Sequence, residues 1–316
     1  MPGRRAGRPV AGLERVRLLL LGGNGQVGRA LRGRLGVLGE VVVGTRDGRL
    51  DDGDTCEIAD FDRPGGLAAL VARVAPDVVV NAAAHTAVDR AESEPDAALR
   101  ANADAPAALA AACAAGDASL VHYSTDYVFD GAASTPYRTD APTAPLGVYG
   151  SSKLAGEDAI RASGARHAIL RTAWVYAGQG RNFLLTMLRL GGERDELRVV
   201  ADQRGTPTPA WLIADATVAM LRHGLPASGT WHVTARGDTT WHGFAEAIFE
   251  GAVARGLLPR APRVLPIATS DYPTPARRPA YSVLDTDSLQ SDFDIVLPHW
   301  RDALDTTLDR LAARSG

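Results

Sequence analysis

Tyr149 and Lys153 stand four positions apart in "YGSSKLAGE", residues 149–157, a stretch of helix-favouring residues with no proline before Thr172. Four residues make about one helical turn, so the phenol and the amine share a face. A phenol supplies a proton to a carbonyl being reduced, and its ordinary pKa of about 10 makes it a weak acid for neutral pH. An ammonium ~5 Å away, at an effective dielectric of ~20, favours phenolate by about 3 kcal/mol, or roughly 2 pKa units. The pair is expected to be an acid tuned by its neighbour. A hydroxyl 24 residues earlier, Thr125 in "HYSTDYVFDG", is expected to serve as a second donor to the developing oxyanion, with Ser124 and Asp126 beside it.

These side chains need a scaffold that brings them to one edge. Short apolar runs, "VRLLLL", "EVVVGT", "DVVVNAAA", "SLVHYSTD" and "RHAILRTAWVY", alternate with helical patterns that include an alanine-rich helix through residues 92–115. Continuous apolar runs between helices predict parallel strands covered on both faces. The fold class expected is α/β, a doubly wound parallel sheet of Rossmann type with a smaller discontinuous α/β domain. Residues 14–172 are expected to form the dinucleotide-binding domain, taking back about 208–235. The proline-broken stretches 173–207 and 236–316 are expected to form the second domain, with a ligand cleft between the two. Residues 1–13, basic and without a long apolar run, read as a disordered leader.

The glycine-rich turn "GGNGQVG" follows the first strand. Gly22, Gly25 and Gly28 permit a tight turn, close approach to a pyrophosphate and helix–strand packing. Thr45 and Arg46 end the second strand where many NAD sites place a carboxylate, which favours NADPH with NADH as the alternative. Asp60 and Phe61 are expected to bracket the adenine. Ala82, Ala83 and Ala84 leave room for a ribose or nicotinamide across the strand ends.

The 316-residue chain is 46% hydrophobic and 22% charged with a formal charge of −3, an ordinary globular balance. It gives no electrostatic reason to expect nucleic acid or an anionic membrane as partner. Cys56 and Cys113 have neither metal nor disulfide spacing, and a cytoplasmic location is expected. The histidines His85, His122, His232, His242 and His299 show no ligand spacing, and no metal is assigned.

Together these motifs resemble the extended short-chain dehydrogenase/reductases and, within them, the dTDP-4-dehydrorhamnose reductases. The resemblance runs from about Arg17 to the C-terminus on "GGNGQVGRAL", "PDVVVNAAAHTAVDRAE", "STDYVFDG", "YGSSKLAGE", "RTAWVY", "ADQRGTPT" and "ARRPAYSVLDT". It implies NADPH-dependent reduction of the 4-keto group of a dTDP-linked 6-deoxy-L-hexulose. By resemblance Tyr149 is the proton donor, Lys153 binds the nicotinamide ribose and Thr125 meets the reacting oxygen. Asp126, Trp174 and Asn182 are implied to contact the sugar, and Gly25, Gln26 and Val27 the cofactor. Ala30 stands where some relatives carry a carboxylate that bridges a metal-linked dimer, so metal-dependent dimerisation is not carried over. The expectation is a monomer or weak homodimer, with Mg possible but not required. Tyr281 replaces a common asparagine. Dehydration is disfavoured because Tyr127, not a second carboxylate, follows Asp126. An epimerase of the same ring, or a non-catalytic nucleotide-binding subunit, is the alternative.

Overall fold

The computed structural model describes residues 16–225 and 228–315, so the expected leader lies outside the described residues. Seven parallel strands form the main sheet in the order β11-β6-β5-β4-β1-β2-β3. They are β1 (Val16–Leu21), β2 (Gly39–Thr45), β3 (Glu57–Ile58), β4 (Val78–Asn81), β5 (Ser119–Thr125), β6 (His167–Thr172) and β11 (Gly229–His232). Leu18 and Leu20 of β1 enter one hydrophobic cluster while Leu19 and Leu21 enter the other. This is the two-residue period of a strand buried on both faces. The helices Gln26–Arg32 and Ala210–His223 cover the first face; Gly65–Val74, Ala105–Gly116 and Val148–Ala162 cover the second. The strand order reverses between β1 and β4. In an open parallel sheet that break, at the carboxyl ends of the strands, is where a ligand crevice opens.

Three small pairs complete the strands: β7 (Val175–Tyr176) with β10 (Thr208–Pro209), β8 (Glu196–Val200) with β13 (Arg263–Ile267), and β9 (Arg204–Gly205) antiparallel to β12 (Thr239–Thr240). Asn182 caps the helix Phe183–Glu193 by accepting from Leu185 N, and Thr240 caps Trp241–Ala254 by accepting from Gly243 N. The aromatic side chains Phe244 and Phe249 of the latter helix are buried in the cluster that also holds Leu18 and Leu20.

Two expected elements differ. The run 166–176 is not one strand: β6 ends at Thr172, and Trp174 adopts φ +45°, a left-handed conformation costly for a bulky side chain, before β7 begins. The helix expected through 92–115 is interrupted at Glu94, ahead of Pro95, and widens into a π-helical stretch over Arg100–Asp104. Pro106 has no N–H for the Asn102 carbonyl. That carbonyl lies where the Cβ of any residue but glycine at 156 would be 2.0 Å away, so Gly156 lets the Tyr149 helix approach it. The buried Asn102 side chain accepts from His85 N and donates to His85 O and to Ser152 Oγ, tying this turn to the same helix.

Glu157, fully buried on that helix, receives two hydrogen bonds from Arg171 of β6, at 2.9 and 2.7 Å, and one from Arg161 at 2.6 Å. Burial raises the Glu157 pKa, but the Arg171 bonds and charge outweigh it and hold the carboxyl below its usual range. A carboxyl depressed in the folded state stabilises fully above its unfolded pKa of about 4.3, and that contribution is lost as pH falls through the folded value. We expect Glu157→Gln to destabilise the protein by about 3 kcal/mol at neutral pH, because it leaves Arg171 buried and uncompensated. A denaturant midpoint equal to that of wild type would refute the clamp.

Candidate active site

A cleft of about 970 Å³ opens at the carboxyl edge of the sheet, where the strand order reverses. The glycine-rich turn forms its floor. Gly22 has φ +82°, and a Cβ there would lie 2.6 Å from Ala83 N, so only glycine fits between the ends of β1 and β4. A Cβ on Gly28 would fall 2.0 Å from the Gly22 carbonyl; Gly28 packs behind the turn and does not line the cleft. Gly25, Gln26 and Val27 do line it, as do Ala82, Ala83 and Ala84. These are the shapes a dinucleotide needs, and the chain's residues fit one.

At the adenine end, Arg46 and Phe61 line the cleft. The Arg46 side chain is 74% exposed and only loosely paired with Asp62 at 3.8 Å, which leaves its guanidinium free for a phosphate. Asp60 is not on the cleft wall; Ala59 takes that place, and Asp60 accepts from Asp62 N to shape the loop. Of the residues expected near the adenine, Phe61 lines the cleft, together with Ala59. Arg29, paired with Asp51 at 2.8 Å, and Arg181 also line the walls, neither picked out from the sequence. Arg181 stands about 150 positions from Arg29 in the chain, so no local pattern links them.

At the other end, Thr125, Asp126, Tyr149, Lys153 and Trp174 come together on the cleft. Thr125 Oγ1 donates to Asp126 Oδ1 at 3.0 Å and accepts from Tyr127 N at 3.2 Å. Tyr127 packs edge-on against the Tyr149 ring, 5.5 Å between centroids. Burial pushes the Asp126 carboxyl up to about 6. Trp174 stacks flat on Trp241, 3.6 Å between centroids, and a Cβ on Gly205 would lie 2.5 Å from its indole. The strained backbone of Trp174 is thus held by a stack on one side and a glycine on the other.

The expected tuning of the phenol runs in the opposite direction. Burial pushes Tyr149 up to about 12, Thr125 draws it down and the Asp126 charge raises it. The Lys153 amine instead donates to the Tyr123 carbonyl at 2.7 Å and lies 3.2 Å from His122 Nε2. Burial lowers its own pKa to about 8, while Glu157 opposes the change. At neutral pH an amine with a pKa of about 8 is still mostly charged, and its hydrogen-bonding groups are directed to β5.

Asn182 is engaged within the chain. Its amide donates to Gln26 Oε1 at 2.9 Å and to the Ala177 carbonyl at 2.8 Å, its oxygen caps a helix, and it does not line the cleft. It positions Gln26, which lines the cleft. Lys153 carries a signal that motif spacing alone does not use: it is the only lysine in the sequence, and every other one of the 34 Lys and Arg residues is arginine. An ammonium can lose its proton on burial where a guanidinium cannot. Among the described residues, no group of three or more His, Cys, Asp or Glu is placed to hold a metal ion, and no helix is long and apolar enough to cross a membrane.

Comparison with known proteins agrees with this geometry. The family described as RmlD substrate binding domain matches residues 16–313. The dTDP-4-dehydrorhamnose reductase of Burkholderia thailandensis is 48% identical over 298 residues, covering 92% of this chain and 97% of that protein. The crystal structure of a dTDP-4-dehydrorhamnose reductase from Clostridium acetobutylicum superposes with a TM-score of 0.85 at 36% identity, over 93% of this chain and 99% of that one. That of the Bacillus anthracis reductase in complex with NADP gives 0.85 at 32% identity, over 94% and 99%. A glycine floor shaped for a dinucleotide, a phenol and an amine facing it, and identity along nearly the whole chain lead to one conclusion: this chain belongs to the dTDP-4-dehydrorhamnose reductases, a family of NADPH-dependent oxidoreductases.

Proposed function

We propose that the protein reduces the 4-keto group of a dTDP-linked 4-keto-6-deoxy-L-hexose with NADPH, in the direction of dTDP-L-rhamnose or a close deoxysugar relative. The observation that carries this reading is the meeting of Thr125, Tyr149 and Lys153 with the glycine turn in one cleft. The names of the relatives support the substrate class.

NADPH, when bound, supplies the hydride. The chain's own residues do the rest. Tyr149, protonated at neutral pH because burial holds its pKa up at about 12, gives its proton to the oxygen that gains charge and is left as phenolate. Thr125, which shares the cleft with that phenol and draws its pKa down, serves as a second donor to the same oxygen once its own hydrogen leaves Asp126. Asp126 Oδ2, buried with no hydrogen-bond partner, is suited to accept from a sugar hydroxyl while the carboxyl is charged. Trp174 offers a flat indole to sugar or base. We assign the sheet to the cofactor, and residues 173–207 with 236–315 to the sugar nucleotide. Asp89 of the helix Val88–Ser93 pairs with Arg278 at 2.8 Å and ties the two together across 189 positions.

The direct test is loss of nicotinamide fluorescence when dTDP-4-dehydrorhamnose is added to protein and NADPH; binding of NADPH without its oxidation would favour a non-catalytic subunit. Tyr149→Phe is expected to lower kcat by about 10²–10⁴-fold with cofactor affinity retained. Turnover at the wild-type level would remove Tyr149 as the acid. Arg46→Ala is expected to raise the KM for NADPH at least several-fold more than that for NADH, and an equal effect on both would show that no 2′-phosphate is read there. Because Asp126 is charged only above its pKa of about 6, the KM for the sugar nucleotide should rise as pH falls through that value. Asp126→Asn should have a high KM at every pH, and a variant that keeps the wild-type pH profile would exclude the assignment.

A further inference from the structure

Beside the cleft lies a second cavity, of about 210 Å³ against about 970 Å³. It is walled by the helix Gln26–Arg32 with the turn after it, by the start of the helix Ala210–His223 and by the helix Trp300–Ser315. Gln26 and Arg29 line both cavities, so the two share a wall. The small residues Ala30, Gly33, Gly178 and Ala210 leave the hollow open. Four arginines line it, Arg29 and Arg34 from the first helix and its turn, Arg310 and Arg314 from the last, and no Asp or Glu does. The chain has 37 acidic residues against 34 basic ones, so four guanidiniums around one hollow without a carboxylate are far from its average surface.

These arginines keep donors to spare. Arg310 lies over the Trp211 ring, 4.4 Å from its centroid. Trp211 Nε1 donates to Thr307 Oγ1 at 3.0 Å, and Thr307 donates to the Ala303 carbonyl at 2.8 Å, so the ring beneath is fixed. A stack holds a guanidinium by its face and spends none of its five N–H groups. Among the described residues, the side chains of Arg310 and Arg314 enter no ion pair or hydrogen bond. On the other helix, Asp51 lies 2.8 Å from Arg29 and Asp215 lies 2.6 Å from Arg34, both from outside the lining. Despite that contact, Arg29 Nε is buried without an aligned hydrogen bond.

We propose that this cavity is a second anion site, for a compound with two linked phosphoryl groups, separate from the cofactor cleft that it adjoins. Arginine suits phosphoryl oxygens because its planar fork gives two parallel N–H···O bonds. Arg310 and Arg314 stand one turn apart on one face, roughly 6 Å along the helix. One phosphoryl group meets one of these forks, whereas two linked groups reach both. The aspartates beside Arg29 and Arg34 offset part of their charge, so affinity rests mainly on Arg310 and Arg314. Neither of these two lines the cofactor cleft, and Thr125, Tyr149 and Lys153 do not line this cavity. The site therefore stands or falls apart from the reductase reading.

Trp211, beneath Arg310, gives a local signal. The chain has five tryptophans, and the indole 15N–1H signals of Trp211 and Trp174 are assigned by their loss in Trp211→Phe and Trp174→Phe. Inorganic pyrophosphate is titrated at constant ionic strength into full-length protein saturated with NADPH. The Trp211 signal is expected to shift along a saturating curve with a Kd of about 0.1–1 mM, independently of Trp174 on the cleft. Arg314→Ala should raise that Kd about 10-fold, the worth of one charge-assisted hydrogen bond, and leave NADPH binding unchanged. Orthophosphate, which meets only one fork, should bind about 10-fold more weakly than pyrophosphate. ADP tells the sources apart: a Kd at least about 10-fold below that of pyrophosphate identifies a nucleotide, and an equal one an inorganic diphosphate. An unmoved Trp211 signal, equal affinity for orthophosphate and pyrophosphate as on a mere charged patch, or wild-type binding in Arg314→Ala would each overturn the proposal. Calorimetry gives the same Kd values if Trp211→Phe does not fold.

Discussion

The helix Val148–Ala162 carries both the phenol and the amine, and its position is fixed by the fully buried pairing of Glu157 with Arg171. Arg171 lies in the interior of β6, where a bare guanidinium would be strongly unfavourable. Its two parallel bonds to Glu157 and its approach to the Phe129 ring at 5.1 Å satisfy it. The geometry is demanding: a slide of the helix along the sheet would break both bonds at once. On its other side, Gly156 sits against the Asn102 carbonyl, and Ser152 accepts from the Asn102 amide. Clamped at both contacts, the helix can bring Tyr149 and Lys153 only to the carboxyl edge of the sheet.

The electrostatics of that edge follow from burial more than from proximity. Two ionisable groups one turn apart on an exposed helix would lower each other's cost of charging. Here Lys153 is drawn back toward β5, the phenol leans toward Thr125, and both lose water. Desolvation disfavours the charged form of each, raising the acid and lowering the base. The result is a phenol that keeps its proton at neutral pH and yields it only to a stronger base such as a developing alkoxide.

The opposite wall of the cleft is built by strain that the rest of the chain holds in place. Trp174 turns out of β6 with a left-handed backbone, and its indole lies between Trp241 and the backbone of Gly205. Gln203 in turn accepts from Trp241 Nε1. The short strands and scattered prolines of the second half make this possible, because each piece supplies one contact and then turns away. The Asp89–Arg278 pair joins this wall to the helix that follows β4.

Much of this was legible in the sequence, for local reasons. Uninterrupted apolar runs such as "VRLLLL" and "SLVHYSTD" can only be strands covered on both faces, and the glycines after β1 mark a backbone that must come close to something. The one-turn spacing of Tyr149 and Lys153 needed no more than the helical period. What the sequence left open was everything set by distant partners. The roles of Asp60 in its loop and of Asn182 in a helix cap depend on neighbours that no motif spacing shows. Arg29 and Arg181 reach one cleft from segments that share no pattern. The acidity of the Tyr149 phenol was also hidden, because it depends on how much water burial leaves around it, and only packed strands and helices decide that.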